Sequence, residues 1–149
     1  MIVVIASDNE RKLVEELGFK NAKIIVTGMG GINVIQTLKN LPKNEEIVNI
    51  GYAGSNSIPV GTKVEVGIST LLHEFFQYDE EPIKTKSYPV SKTICYTSTD
   101  FVTKTNITEP CVFDMELAYI CAMFNNVKSI KVVSDNLNLH AYEQCVEEK

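Results

Sequence analysis

The sequence predicts an α/β fold in which a largely parallel sheet is covered by helices on both faces. Two observations carry this prediction. Strand-like runs alternate with helix-like segments along the 149 residues, and most of the strand-like runs are apolar throughout. A chain of this length is the usual size of one compact domain, and it contains no internal repeat and no linker-like stretch. We therefore expect one domain over residues 1–149.

The first half of the chain contains three apolar strand-like runs, each followed by a turn or a helix signal. IVVIA is followed by Ser7 and Glu10, which have the spacing of a capping box at the start of a helix, and Gly18 ends that helix. KIIVT leads into the glycine-rich turn GMGG and a helix, INVIQTLKNL, that Pro42 stops. EIVNIGYAG is the third run.

The second half has weaker patterns. IPVGTKVEVGI predicts a turn and then an alternating strand, and no clear pattern extends over residues 71–92. Beyond that segment the strand-like runs are ICYTSTDF, CVFDM and SIKVVS. A helix is expected from Glu116 to Phe124, and a short final helix follows the last strand.

Composition and charge exclude several classes of protein. Apolar residues make up 44% of the chain and charged residues 22%, which predicts a folded globular protein. The net charge is −5 and the basic residues are scattered, so a nucleic-acid partner is not expected. The amino-terminal apolar run is short and lacks a basic start, so we expect no signal peptide, no membrane span and a cytoplasmic protein.

The four cysteines show no CxxC spacing, and with two histidines they form no metal-site pattern. We interpret the cysteines as buried free thiols and expect no metal. His73 is interpreted as a surface residue, and the neighbouring Phe75, Phe76 and Tyr78 as either core residues or part of an oligomer interface.

Polar or small residues follow five of the predicted strands. Ligands bind beyond the carboxyl ends of the strands in an open α/β sheet, so these residues are the candidates for a site. They are Ser7 and Asp8, the turn GMGG, the segment GYAGS, Thr99 to Phe101, and Asp135 with Asn136.

The GMGG turn raises the possibility of a dinucleotide site, because glycines at a strand-to-helix turn allow close approach of a phosphate. The fingerprint requires a third glycine where this chain has Asn33. It also requires an acidic residue about twenty positions further on, where the chain has Val48 and Asn49. A tight turn with close packing is the simpler interpretation.

Three carboxylates have both a structural and a functional interpretation. Asp135 follows an apolar strand, where a partly buried carboxyl group can act as a general acid, but the segment SDN is also good helix-capping chemistry. Asp114 and Glu116 could be a solvated pair at a helix start, where the helix dipole favours negative charge. Taken singly, each residue is explained by its structural interpretation.

The combination of segments resembles the nucleoside phosphorylase and nucleosidase family. VFDMELAYI followed by KVVSDN is similar to that family's V-x-M-E segment and its strand ending in S-D. VTGMGGINV, IVNIGYAGSNSIPVGTKVEVG and TSTDFV resemble three further blocks of the family, in the same order. The resemblance implies a three-layer αβα sandwich with a mixed, largely parallel sheet. It also implies cleavage of the N-glycosidic bond of a purine nucleoside or 5′-thio-nucleoside, without a metal or organic cofactor.

The resemblance also assigns residues. Glu116 matches the glutamate that holds the ribose hydroxyls, and Asp135 matches the aspartate that protonates the departing base. Phe101 matches the ring that stacks on the base. Further substrate contacts are implied for Met115, Ser134, Gly28, Gly30 and Gly54. Asp114 falls at a variable position and is expected to be a helix-start or loop residue without a catalytic role.

The nucleophile is left open by the resemblance. Phosphorylases of this family hold phosphate with arginines, and Arg11 could match the first of them, but the second position is Asn49. Loss of a guanidinium favours water, which Glu10 could activate on the same side of the site as Ser7. Hydrolysis is favoured, with phosphate as the co-substrate of the alternative.

Compared with the family the chain is short, with reductions expected after the first helix, in the middle region and in the final helix. A second hypothesis is therefore a non-catalytic module that binds a nucleoside or nucleobase through Glu116 and Asp135. A homodimer or higher homo-oligomer is expected from the resemblance in either case.

Overall fold

The computed structural model describes residues 1–72, 84–87 and 93–147, with residues 84–87 and 147 described by their backbone only. His73 and the cluster of Phe75, Phe76 and Tyr78 lie outside the described residues. The described strands are β1 Ile2–Ile5, β2 Lys23–Val26, β3 Glu46–Ser55, β4 Lys63–Glu65, β5 Ile68–Leu71, β6 Lys84–Ser87, β7 Ile94–Thr97, β8 Cys111–Asp114 and β9 Asn126–Asp135. The described helices are α1 Arg11–Glu16, α2 Gly31–Leu38, α3 Leu117–Met123 and α4 Leu139–Glu147, and a single 3-10 turn over Asp8–Glu10 precedes α1.

In the part of the chain that is described, nine strands form one mixed sheet. Seven of them run in the order β2-β1-β3-β8-β7-β5-β6, and β9 pairs with β3 and β4. The β1–β2, β1–β3, β3–β9, β5–β7 and β7–β8 pairs are parallel, whereas β3–β8, β4–β9 and β5–β6 are antiparallel. The expectation of a mixed, largely parallel sheet is confirmed.

Helices cover both faces of this sheet. Alternate residues of a strand point to opposite faces, so Ile2 and Val4 of β1 pack with α2 and α3, while Val3 and Ile5 pack with α1. Helix α4 also packs on the α1 side of the sheet. The expected three-layer αβα arrangement is therefore present, and both faces of the central strands are apolar because both are buried.

The longest strand pair organises the sheet. β3 and β9 pair in parallel from Glu46 with Asn126 to Gly54 with Asp135, with a register shift between Ala53 and Gly54. The carboxyl ends of these two strands therefore lie side by side. None of the helices described here is both long enough and apolar enough to cross a bilayer.

Several element boundaries differ from those expected. Helix α2 ends at Leu38, before Pro42, and the backbone N–H of Leu41 bonds to the Leu38 carbonyl in a turn. Strand β9 extends three residues further towards the amino terminus than SIKVVS, because Asn126–Lys128 continue the pairing with β3. Strands β5 and β6 were not predicted, since ISTL and KTKS lack apolar runs.

A pair of substitutions on α2 tests the assignment of its buried face. Leu38→Ala should lower the free energy of unfolding by about 2–5 kcal/mol, because Leu38 is fully buried and the change leaves a cavity. Gln36→Ala on the exposed face of the same helix should change it by less than about 0.5 kcal/mol. Urea denaturation of both variants measures the difference, and equal effects would contradict the assigned face.

Candidate functional site

A hollow containing about 470 Å³ of space, partly open to solvent, lies where several strands end. Its walls come from the segments after β1 and β2, the ends of β3, β8 and β9, the loop after β7, and helix α4. The lining residues are Ala6, Ser7, Glu10, Met29, Tyr52, Ala53, Gly54, Phe101, Phe113, Asp114, Met115, Glu116, Ser134 and Tyr142.

Glu116 is fixed in the wall of the hollow by the glycine-rich turn. It occupies the N-cap position of α3, and its Oε2 accepts a hydrogen bond of 2.9 Å from the backbone N–H of Gly30. Burial and then the nearby Asp114 charge raise the pKa of Glu116 to about 7, although Lys131 and the Gly30 N–H oppose this rise. This carboxyl group therefore changes charge near neutral pH.

Glu10 is a second buried carboxyl group in the lining. Its Oε1 accepts hydrogen bonds from the backbone N–H groups of Ala6 at 2.9 Å and Ser7 at 3.3 Å, and its Oε2 accepts one from Tyr52 at 2.8 Å. Burial raises the pKa of Glu10, while Lys131 and these N–H donors act in the opposite direction. A Cβ on Gly51 would lie 2.6 Å from Glu10 Oε2, so glycine is needed to admit the carboxylate.

Asp114 is neither solvated nor in a loop, contrary to expectation. It is the last residue of β8 and is buried, with its Oδ2 3.0 Å from Nζ of Lys131, which is also buried. Asp114 Oδ1 accepts a hydrogen bond of 2.6 Å from the Thr97 hydroxyl, and Oδ2 accepts one of 2.8 Å from the Leu117 N–H. Burial would raise the pKa of Asp114, but Lys131 and these donors lower it overall.

Asp135 lies beside the hollow without lining it. The residue is fully buried, and its carboxylate accepts hydrogen bonds from the Ser134 hydroxyl at 2.6 Å and the Leu137 N–H at 2.9 Å. It is the strand partner of Gly54, where a Cβ would lie only 3.0 Å from Asp135 Oδ2. Gly54 lines the hollow, so Asp135 is the direct neighbour of a lining residue.

Aromatic and thioether side chains form the apolar part of the wall. Phe101 and Tyr142 pack with ring centroids 5.4 Å apart at an interplanar angle of 55°, so the final helix does contribute to the site. Met115 and Phe113 line the same space. Such a wall can bury a flat heterocycle.

Besides Asp135 and Gly30, two sequence-predicted residues do not line the hollow. The side chain of Arg11 is about half exposed, and its Nε donates to Asp8 Oδ1 at 2.8 Å. Gly28 has a left-handed φ of +88° and lies against the Asn33 side chain. The predicted residues that do line it are Ser7, Glu10, Gly54, Phe101, Met115, Glu116 and Ser134, while Gly30 positions Glu116 through its backbone.

Sequence reasoning missed Lys131 and Tyr142. The signal for Lys131 was a single charged residue within the apolar strand IKVV, since a buried lysine requires a partner. Tyr142 had no local signal, because only the packing of α4 brings it to the hollow. Within the ranges described, no group of three or more His, Cys, Asp or Glu side chains is arranged so that it could hold a metal ion.

Solved structures with the same fold include several nucleosidases. The 5′-methylthioadenosine/S-adenosylhomocysteine nucleosidase from S. pneumoniae, solved with a transition-state inhibitor, aligns with a TM-score of 0.75 at 18% identity, covering 99% of this chain and 91% of that one. The futalosine hydrolase of Helicobacter pylori aligns with a TM-score of 0.75 at 12% identity, covering 99% of this chain and 90% of that one. An MTAN from Chlamydia trachomatis, bound to adenine, aligns with a TM-score of 0.74 at 15% identity, covering 99% of this chain and 89% of that one.

No protein-family model matches the sequence, and no curated protein matches it either. The chain nevertheless has the α/β fold of these nucleosidases over nearly its whole length, as the five sequence blocks implied. The alignments cover about nine tenths of each of these structures.

The raised pKa of Glu116 predicts a pH-dependent effect of Glu116→Gln on stability. The folded-state pKa of about 7 lies above the ordinary value of 4.5, so the free energy of unfolding of the wild type falls as pH rises through this interval. Glutamine does not ionise. Relative to the wild type, the variant should therefore become more stable between pH 4.5 and pH 8, by up to about 3 kcal/mol. Denaturant unfolding across this range measures the difference, and a constant difference would contradict the assignment.

Proposed function

We propose that the chain hydrolyses the N-glycosidic bond of a purine nucleoside or a 5′-thio-nucleoside. The observation that carries this proposal is the convergence of Glu10 and Glu116, both buried, on a hollow with an aromatic wall, in a fold shared with nucleosidases. A positively charged sugar forms as such a bond breaks, and buried carboxylates are suited to stabilise it.

The proposed roles follow from where the side chains lie. Glu116 accepts hydrogen bonds from the ribose hydroxyls, with its orientation set by the Gly30 N–H. Phe101 and Tyr142 pack against the base, and Met115 against the sugar. The sequence resemblance, rather than its position, assigns proton donation to Asp135, which approaches the hollow through its hydrogen-bond partner Ser134 at 2.6 Å.

Water is the proposed nucleophile. Glu10 accepts a proton from water as the water oxygen bonds to C1′. The bond from C1′ to the base nitrogen breaks, its electron pair stays on the base, and the proton of Asp135 neutralises the base. Free base and free ribose, or its 5′-thio derivative, are the products. The roles of these side chains need no metal or organic cofactor.

The charge of the lining argues against phosphate as the nucleophile. The described lining contains Glu10, Asp114 and Glu116 but no arginine or lysine. Arg11, the candidate phosphate ligand, is paired with Asp8 outside the hollow. A phosphate dianion would meet like charges there without a guanidinium to hold it. Phosphorolysis is therefore the weaker alternative.

One observation favours a non-catalytic binding module as the second candidate. Asp135 is fully buried with both carboxylate oxygens already hydrogen-bonded, so it does not contact the hollow directly. If Asp135 donates no proton, the chain would bind a nucleoside or free base through Glu116 and the aromatic wall without breaking a glycosidic bond.

We also propose a cytoplasmic homodimer or higher homo-oligomer as the working assembly, with a small-molecule nucleoside as ligand and no nucleic-acid or membrane partner. The exposed apolar side chains of Met29, Ile32 and Ile35 lie at or near the turn that forms part of the hollow and support an assembly that covers them. Residues 1–149 are proposed to act as a single domain.

Product analysis tests the reaction. Adenosine, inosine and 5′-methylthioadenosine are each incubated with the protein, with and without inorganic phosphate, and products are separated by chromatography. We expect free base and free sugar from at least one of them at a rate that phosphate does not change. Ribose 1-phosphate formed only with phosphate would establish the phosphorylase instead. Ligand binding by calorimetry without any product would establish the binding module.

Asp135→Asn tests the proton donor. The substitution should lower kcat by about 10²–10⁴-fold, because asparagine cannot donate a proton of comparable acidity to the base. Asp8→Asn is the matched control, since Asp8 is exposed and outside the hollow, and it should leave kcat unchanged. Unchanged turnover in Asp135→Asn would remove Asp135 from the mechanism.

A further inference from the structure

Lys131 is a buried lysine that the proposed mechanism does not use. It lies near the middle of β9, opposite Gly51 of β3, and is 1% exposed. Neutral residues flank it on the strand, and its charged end reaches Asp114 at 3.0 Å. Burial of a lysine is costly, and a buried ion pair often contributes less to stability than apolar residues of the same size. Its presence therefore requires an explanation other than stability.

The groups that act electrostatically on Lys131 come from four segments. They are Asp114 on β8, Cys95 on β7, Glu116 at the start of α3 and Glu10 in the turn before α1. Tyr142 of α4 is in turn influenced by Glu10 and Glu116, and burial keeps its phenol neutral. The region thus holds three carboxyl groups and one ammonium group, and the thiol and phenol carry no charge.

The ammonium group is shared unequally among the carboxyl groups. Asp114 contacts the Lys131 ammonium group directly and also accepts hydrogen bonds from Thr97 and Leu117. Asp114 and Lys131 are therefore both ionised, and the net charge of the pair is zero. Glu10 and Glu116 make no ion pair with Lys131, but both lie beside it: Glu10 Oε2 would be 2.6 Å from a Cβ on Gly51, the strand partner of Lys131, and Glu116 follows Asp114 by two residues. At these positions Lys131 favours the ionised form of each carboxyl group. Asp114 acts in the opposite direction on Glu116.

We propose that Lys131, anchored by Asp114, is a positioning residue that holds the charge of the Glu10 and Glu116 carboxyl groups and thereby sets the lower pH limit at which the site can work. The pH limit rests on the proposed hydrolysis, whereas the control of charge does not. Without the ammonium group, two buried carboxyl groups facing one hollow would both take up protons at neutral pH. A protonated Glu10 could not accept a proton from water.

The two single substitutions should act in opposite directions. Lys131→Met keeps the length of the side chain but removes the positive charge, so the titration midpoints of Glu10 and Glu116 should rise by about 1 pH unit or more. Asp114→Asn removes a negative charge and leaves Lys131 unpaired, so the midpoint of Glu116 should fall. Loss of packing alone could not shift the midpoint of Glu116 in two directions.

The midpoints are measured by NMR of protein labelled with 13C at the glutamate side-chain carboxyl carbon, with signals assigned from Glu10→Gln and Glu116→Gln. Lys131→Arg, which keeps the charge, should retain wild-type midpoints, and the double variant Asp114→Asn/Lys131→Met should lie between the two single variants. Lys128→Met is the matched control on the same strand, because Lys128 is exposed and its contact with Glu65 is 3.5 Å. It should shift neither signal.

The pH dependence of kcat/KM gives the second measurement. The acidic limb should move to higher pH in Lys131→Met, because Glu10 then keeps its proton to a higher pH. Midpoints that stay unchanged, or that move in the same direction in both variants, would overturn the proposal. If Lys131→Met does not fold, the fall expected in Asp114→Asn decides it. If the Glu116 midpoint moves in opposite directions in the two variants but the protein shows no turnover, Lys131 does control the charge of the carboxyl groups and the proposed hydrolysis is wrong.

Discussion

The parallel pairing of β3 with β9 is the constraint on which the rest of the site depends. Nine residues of β3 find partners along β9, and the pairing ends with Gly54 beside Asp135. Parallel strands end at the same edge, so this pairing delivers Tyr52, Ala53 and Ser134 to one hollow. It also fixes Lys131 opposite Gly51, and a Cβ at Gly51 would meet Glu10. A slip of one residue would turn each of these side chains to the opposite face.

Charge is buried in this region in a way that folding alone would not favour. Glu10, Asp114, Glu116 and Lys131 are each less than one tenth exposed. Backbone N–H groups and the Thr97 hydroxyl donate hydrogen bonds to these carboxylates, and Asp114 forms an ion pair with Lys131. What remains is an excess of carboxyl groups beside an apolar wall, and raised carboxyl pKa values in a cleft are typical of functional sites.

The sequence predicted the architecture because the signals were local. Apolar runs such as IVVI and EIVNI identified the central strands, and Ser7 with Glu10 marked the first helical turn. Strands β5 and β6 escaped detection because their polar side chains give no apolar run, and sheet pairing decides their conformation. Lys131 and Tyr142 reach the site only through tertiary packing. The role of Asp114 likewise depended on a partner 17 residues away in sequence, a distance over which periodicity carries no information.

The placement of charge also explains why one hollow can favour a cation and disfavour an anion. In the proposed reaction positive charge would develop on the sugar as the glycosidic bond breaks, and Glu116, which lies in the wall, is the group proposed to hold the sugar hydroxyls. The Lys131 ammonium group is held by Asp114 and does not line the hollow, so it moderates the carboxylates without itself being presented to a ligand. A neutral water molecule can approach Glu10 at little electrostatic cost. In the proposed reaction, phosphate would be repelled by the same carboxylates that would stabilise the sugar cation, and this is the electrostatic reason for proposing water as the nucleophile.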